Sequence, residues 1–153
     1  MSRRRLLAFL AFVVLFLAAP GAMAQDAGTE PLSIRASDGK THAFRVEIAR
    51  TPQEQARGLM HRESLAPDAG MLFLHTSEAR QSMWMKNTLI PLDMLFIRRD
   101  GRISRIHERA VPGSLESISS RGRVLAVLEL RGGTVARLEI RVGDRVEHAA
   151  FKR

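Results

Sequence analysis

The sequence contains no cysteine and no tyrosine, and it has one tryptophan. Without cysteine the chain cannot form a disulfide, a Cys-ligated zinc site, an iron–sulfur cluster or a thiol redox centre, and it has no cysteine for a bacterial lipid anchor. Because aromatic rings are scarce, sugar binding on an aromatic platform is disfavoured. Its 153 residues are 45% hydrophobic, which is too apolar for a disordered chain and suits one compact domain.

The N-terminus has the three parts of a secretory signal peptide. Arginines at positions 3–5 precede an apolar run at residues 6–19, and Ala22 and Ala24 supply the small side chains that signal peptidase accepts. An uncleaved membrane anchor is the alternative, but the apolar run is shorter than the about 20 residues that span a bilayer. We therefore predict a cleaved signal peptide over residues 1–24 and a periplasmic or secreted protein. The sequence leaves open whether the general secretory or the twin-arginine route exports it.

The charge balance excludes most nucleic-acid binders. Removing 24 residues from 153 leaves 129, and removing three arginines from 24 basic residues leaves 21 against 16 acidic ones, a net charge of +5. The basic residues are scattered, and few aromatic rings could stack on bases. We predict no nucleic-acid partner, whereas weak contact with an anionic membrane surface is compatible with the charge.

The pattern after the leader predicts short strands. Residues 25–31 are small and polar, which indicates a flexible lead-in to a single domain over residues 32–153. Apolar and polar residues alternate at 32–35 and 42–48 around a Gly-containing turn, which predicts a β-hairpin.

A short helix is predicted next, because Thr51, Pro52 and Glu54 form a capping box and Gly58 can end the helix. Residues 124–130 form an apolar strand, and Gly132-Gly133-Thr134 can begin a second short helix. About seven strands with two short helices predict a mainly β fold, either a β sandwich or a partly open barrel.

Residues 82–86 and 92–97 are predicted to be two strands joined by a tight connection. If Lys86 lies opposite Asp93, the two-residue period of strands puts Trp84, Lys86 and Asp93 on one face. An ion pair beside an indole could hold a polar ligand, although a simple hairpin ion pair is equally compatible with this pattern. Asn87 is expected mainly to stabilise its own turn.

Glu129 interrupts the apolar strand at residues 124–130. A buried carboxylate must find a cation or a donor, or stay protonated, and Arg57 at the end of the first helix is a natural partner. A structural Arg57–Glu129 pair and a pair that faces a ligand are both compatible with the sequence. If Glu129 faces a cavity, a raised pKa would suit proton transfer in a hydrolase.

The methionines suggest a further alternative, because Met83 and Met85 lie on one predicted strand face and Met94 on the facing strand. Thioethers suit Cu(I), although core packing is the favoured explanation. The five histidines are dispersed without a zinc-binding spacing, so we predict no metal site and no cofactor. No nucleophilic serine motif or phosphate-binding loop is present.

The chain resembles the domain of unknown function 192 family over residues 32–148. The resemblance is carried by Thr51, Arg57-Gly58-Leu59-Met60, Gly70-Met71-Leu72-Phe73, Trp84-Met85-Lys86-Asn87-Thr88, Ile90-Pro91-Leu92-Asp93, Gly101-Arg102-Ile103, Val127-Leu128-Glu129 and Gly143-Asp144. It implies a small exported domain with a mostly β, jelly-roll-like fold, and it implies no particular reaction.

These observations favour a periplasmic binding or accessory module for a small polar ligand or a component of the cell envelope. The predicted pocket is formed by Arg57, Trp84, Lys86, Asn87, Asp93 and Glu129. One alternative is a hydrolase of an envelope polymer that uses Glu129 or Asp93 as general acid or base, which requires both carboxyl groups in one cleft. The other is a Cu(I)-handling protein, which requires thioethers that converge near solvent. The sequence does not define the oligomeric state.

Overall fold

The computed structural model describes residues 28–151. The predicted signal peptide and residues 25–27 of the predicted lead-in lie outside the described residues. The described chain forms strands β1 (Thr29–Arg35), β2 (Thr41–Ala49), β3 (Ala69–Met83), β4 (Leu92–Ile97), β5 (Ile103–Ala110), β6 (Ile118–Arg131) and β7 (Arg145–Glu147), and helices α1 (Pro52–Arg57) and α2 (Thr134–Leu138). Within residues 28–151 there is no helix with the length and apolar character needed to cross a membrane.

The seven described strands form one curled sheet in the order β5-β4-β6-β3-β2-β1-β7. Its edges approach each other, because the Ile103 N–H donates to the Asp144 carbonyl (2.9 Å) and the Val146 N–H donates to the Gly101 carbonyl (2.8 Å). The fold is therefore a partly open barrel with two short helices. This confirms the mainly β prediction and selects the barrel over the sandwich.

The first hairpin and the first helix follow the sequence pattern. β1 and β2 pair antiparallel around the predicted turn. At the start of α1, the Thr51 hydroxyl accepts from the Glu54 N–H (3.2 Å) and the Glu54 carboxylate accepts from the Thr51 N–H (2.9 Å). This reciprocal cap satisfies two donors that the first helical turn leaves free.

The folded part begins earlier than the sequence suggests. Thr29, Glu30 and Pro31 already pair with β2, although they were assigned to the flexible lead-in. The Glu30 carboxylate binds both Arg50 (3.0 Å) and His148 (3.0 Å), which attaches this segment to the rest of the domain. These contacts move the boundary from Leu32 to Thr29.

The predicted hairpin between residues 82–86 and 92–97 is wrong. β6 lies between β3 and β4 and is antiparallel to both, so β3 and β4 run in the same direction. β3 ends at Met83 beside Ile118, the first residue of β6, whereas β4 begins at Leu92 beside Arg131, the last residue of β6. Residues 84–91 are therefore a crossover loop and not a tight turn, as parallel strands require.

The sheet buries apolar side chains on both faces. One core contains Ile34, Leu95, Leu128 and Leu130 and is completed by Val135 of α2. The other, which we call the methionine core, comprises Met71, Met85 and Met94 with the residues that pack around them, Ala49, Leu59, Leu65, Phe73, Leu92, Phe96, Ala110, Ile118, Val124 and Val127. Because Leu59, Leu65 and Met85 belong to loops, the methionine core lies between the sheet and these loops.

Candidate functional site

Glu129 lies in the middle of β6 and faces the methionine core. Its strand neighbours are Met71 on β3 and Met94 on β4, and residues directly opposite each other share a face of the sheet. Glu129 is 4% exposed, and its side chain has no hydrogen bond or ion pair with any described residue. Because burial penalises the charged form, the pKa of Glu129 rises to about 8. The carboxyl group is therefore mostly protonated at pH 7.

The Glu129 carboxyl group still reaches solvent. The described side-chain polar atoms that are both enclosed and unpartnered belong to Thr29, His42, His75 and Arg105. The Glu129 carboxyl oxygens also lack a hydrogen-bond partner, but they are not fully enclosed. Part of the 4% exposure of Glu129 therefore lies at its carboxyl group. A neutral acid that reaches solvent can donate its proton to an acceptor from outside.

The predicted Arg57–Glu129 ion pair does not form. Arg57 is exposed at the end of α1, and no described carboxylate forms an ion pair with it. α1 ends at Arg57, and an added Cβ at its C-cap, Gly58, would lie 3.0 Å from the Phe73 ring. The chain thus packs against the sheet through Gly58, while the Arg57 side chain remains in solvent.

The predicted Lys86–Asp93 ion pair is also absent, because Asp93 faces the opposite side of the sheet. Asp93 is completely buried and accepts from the backbone N–H groups of Arg109 (2.8 Å), Gly133 (3.1 Å) and Val135 (2.8 Å). It therefore caps the first turn of α2, which has no cap from its own N-cap side chain. The role of Asp93 is to hold α2 and β5 in place.

The opposite orientations of Asp93 and Glu129 argue against the paired-carboxylate hydrolase. Met94, not Asp93, lies opposite Glu129, and Asp93 lies opposite Leu130. Adjacent residues of a strand point to opposite faces, so the two carboxyl groups cannot share a cleft. This arrangement counts against the alternative of a hydrolase that uses Glu129 or Asp93 as general acid or base within one cleft.

Trp84, Lys86 and Asn87 lie on the crossover loop. Trp84 is 49% exposed, and the Lys86 ammonium lies 5.1 Å from the centre of its ring, a cation–π contact. Asn87 adopts a positive φ of 54°, and its carbonyl accepts from the His61 N–H (2.9 Å). Its amide also contacts the Met60 sulfur at 3.9 Å. These contacts join the crossover loop to the loop that follows α1.

The methionine sulfurs do not form an exposed cluster. Met71, Met85 and Met94 are buried among leucine and phenylalanine side chains, and Met83 packs against the same core. The arrangement is the one expected of adaptable core residues and not of a solvent-facing Cu(I) site. Residues 28–151 also contain no group of three or more His, Asp or Glu side chains that could hold a metal ion.

Four of the six residues predicted to form a pocket belong to segments on the methionine-core face of the sheet: Trp84, Lys86, Asn87 and Glu129. Glu129 projects from that face, whereas Trp84, Lys86 and Asn87 belong to the loop that contributes Met85 to the same core. Arg57 precedes a glycine that packs on this face, and Asp93 points away. The sequence does not identify Met71 and Met94 as the neighbours of Glu129, because the insertion of β6 between β3 and β4 is set by long-range strand pairing.

Comparisons with known proteins agree with this architecture. The family model of domain of unknown function 192, described as an uncharacterised ACR, matches residues 33–148. The crystal structure of a candidate transcription regulator from Sinorhizobium meliloti 1021 is 49% identical, with a TM-score of 0.79, and the match covers 80% of this chain and 95% of that one. A protein of unknown function from Novosphingobium aromaticivorans DSM 12444 is 41% identical, with a TM-score of 0.76 and coverage of 86% and 94%. No curated protein matches the chain.

Proposed function

The chain belongs to the domain of unknown function 192 family, and from this premise we propose that it is an exported binding module whose ligand accepts a hydrogen bond from the protonated Glu129 carboxyl group. The ligand class is a small molecule with a carbonyl or carboxylate oxygen. The observation that carries the proposal is the unpartnered Glu129 side chain, which is 96% buried yet keeps its carboxyl group in contact with solvent. An unpaired buried polar group lowers the stability of a folded protein by roughly 1–3 kcal/mol. A ligand that accepts a hydrogen bond from Glu129 would offset this loss.

The charges around this face support an acceptor ligand over a cationic one. Arg57 and Lys86 are both exposed, and neither forms an ion pair with a described carboxylate. Glu47, the nearest acidic residue along the same row of the sheet, is held by Arg62 through two contacts of 2.6 and 2.7 Å. A neutral acid that can donate its proton, on a face whose nearest acidic residue is already paired, favours an oxygen acceptor over a cation.

Trp84 supports a ligand that extends beyond the acceptor group. Its half-exposed indole offers an apolar surface on the crossover loop, which also carries Lys86. Exposed tryptophan side chains are enriched at binding surfaces because one ring combines a large contact area with an N–H donor. Export, which the proposal includes, rests on the pattern of residues 1–24.

Three probes of equal size and different charge test the proposal: acetate, acetamide and acetamidinium. We expect acetate and acetamide to shift the backbone amide resonance of Glu129 and the indole resonance of Trp84 in NMR titrations at pH 6.5 (about 1.5 units below the pKa of Glu129). Acetamidinium, which lacks an acceptor, should not. Binding of acetate should weaken as the pH rises through about 8, because Glu129 loses its donor proton and gains a repelling charge.

Two substitutions of Glu129 separate hydrogen bonding from shape. Glu129→Gln keeps a donor and should keep the binding of acetate without its loss near pH 8, whereas Glu129→Leu should abolish binding. Equal binding of acetate to wild type and Glu129→Leu, or preferential binding of acetamidinium, would contradict the proposal.

A further inference from the structure

A concave surface that does not include Glu129 lies where β5 passes the irregular first half of β6. Its volume is about 740 Å³, and four arginines line it: Arg98, Arg105, Arg121 and Arg123. Arg98 follows β4, Arg105 belongs to β5, and the other two belong to β6. We call it the arginine groove. Four guanidinium groups gathered from three segments create a strongly positive surface within one small volume.

The described carboxylates do not neutralise the arginine groove. None of its four arginines takes part in an ion pair with a described residue. Glu78 is nearby, but its carboxylate accepts from the Arg99 N–H (2.8 Å), and Arg123 donates instead to the Glu78 backbone carbonyl (2.6 Å). No carboxylate of residues 28–151 therefore forms an ion pair with the arginines of the groove.

Arg105 lies in an unfavourable environment within the arginine groove. One of its terminal nitrogens, Nη1, is enclosed and has no hydrogen-bond partner, and its guanidinium lies 5.5 Å from the centre of the Phe96 ring. Burial and the charge of Arg121 both lower the pKa of Arg105. Two like charges are thus held near each other, and a bound anion would relieve their repulsion.

The backbone of Arg121 adopts a defined conformation at the edge of the arginine groove. It adopts a positive φ of 58°, and its N–H donates to the Ser119 hydroxyl at 3.1 Å. The following residue, Gly122, lies in the same irregular part of β6, where its carbonyl accepts from the buried Ser120 hydroxyl (2.6 Å). These bonds define the backbone from which the Arg121 side chain extends to line the groove.

We propose that the arginine groove binds a phosphate-bearing anion with at least two negative charges. Guanidinium groups bind phosphate oxygens through two parallel hydrogen bonds, and several arginines around one volume match a multiply charged anion better than a single carboxylate. Nucleic acid is less well matched, because the aromatic ring beside the groove, Phe96, is completely buried and cannot stack on a base. This site is independent of the one proposed at Glu129.

Calorimetric titration of the mature protein with inorganic pyrophosphate tests the proposal. We expect binding that weakens with added salt, and a loss of affinity of about tenfold or more in Arg121→Gln, since one charge-assisted contact is removed. Arg105→Gln should have a similar effect, and circular dichroism will show whether each variant is folded. Arg137→Gln removes the same charge from an exposed position on α2 outside the groove and should bind as wild type does.

Two further probes identify the source of the phosphate. Vesicles of phosphatidylcholine and phosphatidic acid present the same group on a lipid, so vesicle binding that needs Arg105 and Arg121 would support a lipid phosphate at this site. Pyrophosphate binding without vesicle binding would support a soluble phosphate compound. The proposal is overturned if no probe binds, if Arg137→Gln weakens pyrophosphate binding as much as Arg121→Gln does, or if a DNA duplex binds while pyrophosphate and vesicles do not.

Discussion

Glu129 on β6 lies directly opposite Met94 on β4, so its side chain projects into the methionine core, and no described cation pairs with it. An apolar environment destabilises the charged form and leaves the neutral acid as the stable species. The pairing thus explains both the raised pKa of Glu129 and its suitability as a hydrogen-bond donor. It also connects the proposed function with the stability of the domain.

Glu129 should make the domain less stable as the pH rises. In the unfolded chain its carboxyl group titrates near 4.5, whereas in the folded domain the pKa is about 8. The folded state therefore binds more protons between these values, and its free energy of unfolding should fall by roughly 1.4 kcal/mol per pH unit across this window. Below pH 4.5 the Glu129 carboxyl group is protonated in both states, so its stabilising contribution to the free energy of unfolding is fully present.

Glu129→Gln isolates this effect, because glutamine has nearly the same shape and does not titrate. Urea denaturation at several pH values should show that wild type loses stability relative to Glu129→Gln as the pH rises from 4.5 to 8. Parallel pH profiles of the two proteins would show that Glu129 has an ordinary pKa in the folded state.

Asp93 should be among the residues most important for stability. Substitution by alanine leaves three backbone N–H groups without an acceptor, those of Arg109, Gly133 and the buried Val135. We expect Asp93→Ala to lower the free energy of unfolding by roughly 3 kcal/mol or more.

The matched control for Asp93 is Asp38→Ala. Asp38 also accepts from a backbone N–H, that of Lys40, but at an exposed turn where water can replace it. Its loss should therefore destabilise the domain clearly less than the loss of Asp93 does. Urea denaturation of both variants measures the difference, and equal losses would mean that Asp93 does not organise α2.

The predicted signal peptide gives a third expectation. Protein recovered from cells that export it should have the mass of residues 25–153, with Gln25 at the N-terminus. Ala24→Arg should block cleavage, because a large charged side chain does not fit signal peptidase, and the full-length precursor should accumulate. Ala27→Arg lies beyond the cleavage site and should be processed normally. An uncut wild-type chain in the membrane fraction would instead indicate an N-terminal anchor.

Local sequence patterns were sufficient for much of the fold. The first hairpin depends on alternation around one turn, and α1 depends on Thr51 and Glu54, which are three residues apart. The buried strand at residues 124–130 was also evident, because few polar residues interrupt it. These elements depend on residues that are close in the sequence, so the local sequence pattern is sufficient to predict them.

The site depended on distant pairings that the sequence does not display. The three donors to Asp93 lie 16, 40 and 42 positions away, and the neighbours of Glu129 come from two strands separated by the crossover loop. A predicted ion pair between Lys86 and Asp93 was plausible for a hairpin, and it failed because β6 occupies the place of the facing strand. The burial of Glu129 was predictable from its apolar neighbours, whereas the lack of a partner was not.

Gly70 should be irreplaceable because it allows β3 to approach β6 beside Glu129. An alanine Cβ at this position would lie 2.7 Å from the Glu129 carbonyl oxygen and 2.8 Å from a methyl carbon of Leu130, so the two strands would have to separate. We expect Gly70→Ala to destabilise the domain by roughly 1–3 kcal/mol. Gly122→Ala is the matched control, since an added Cβ there meets no atom within 4 Å. Thermal and urea denaturation should separate the two variants, and a fully stable Gly70→Ala protein would contradict the close pairing of β3 with β6 on which the environment of Glu129 depends.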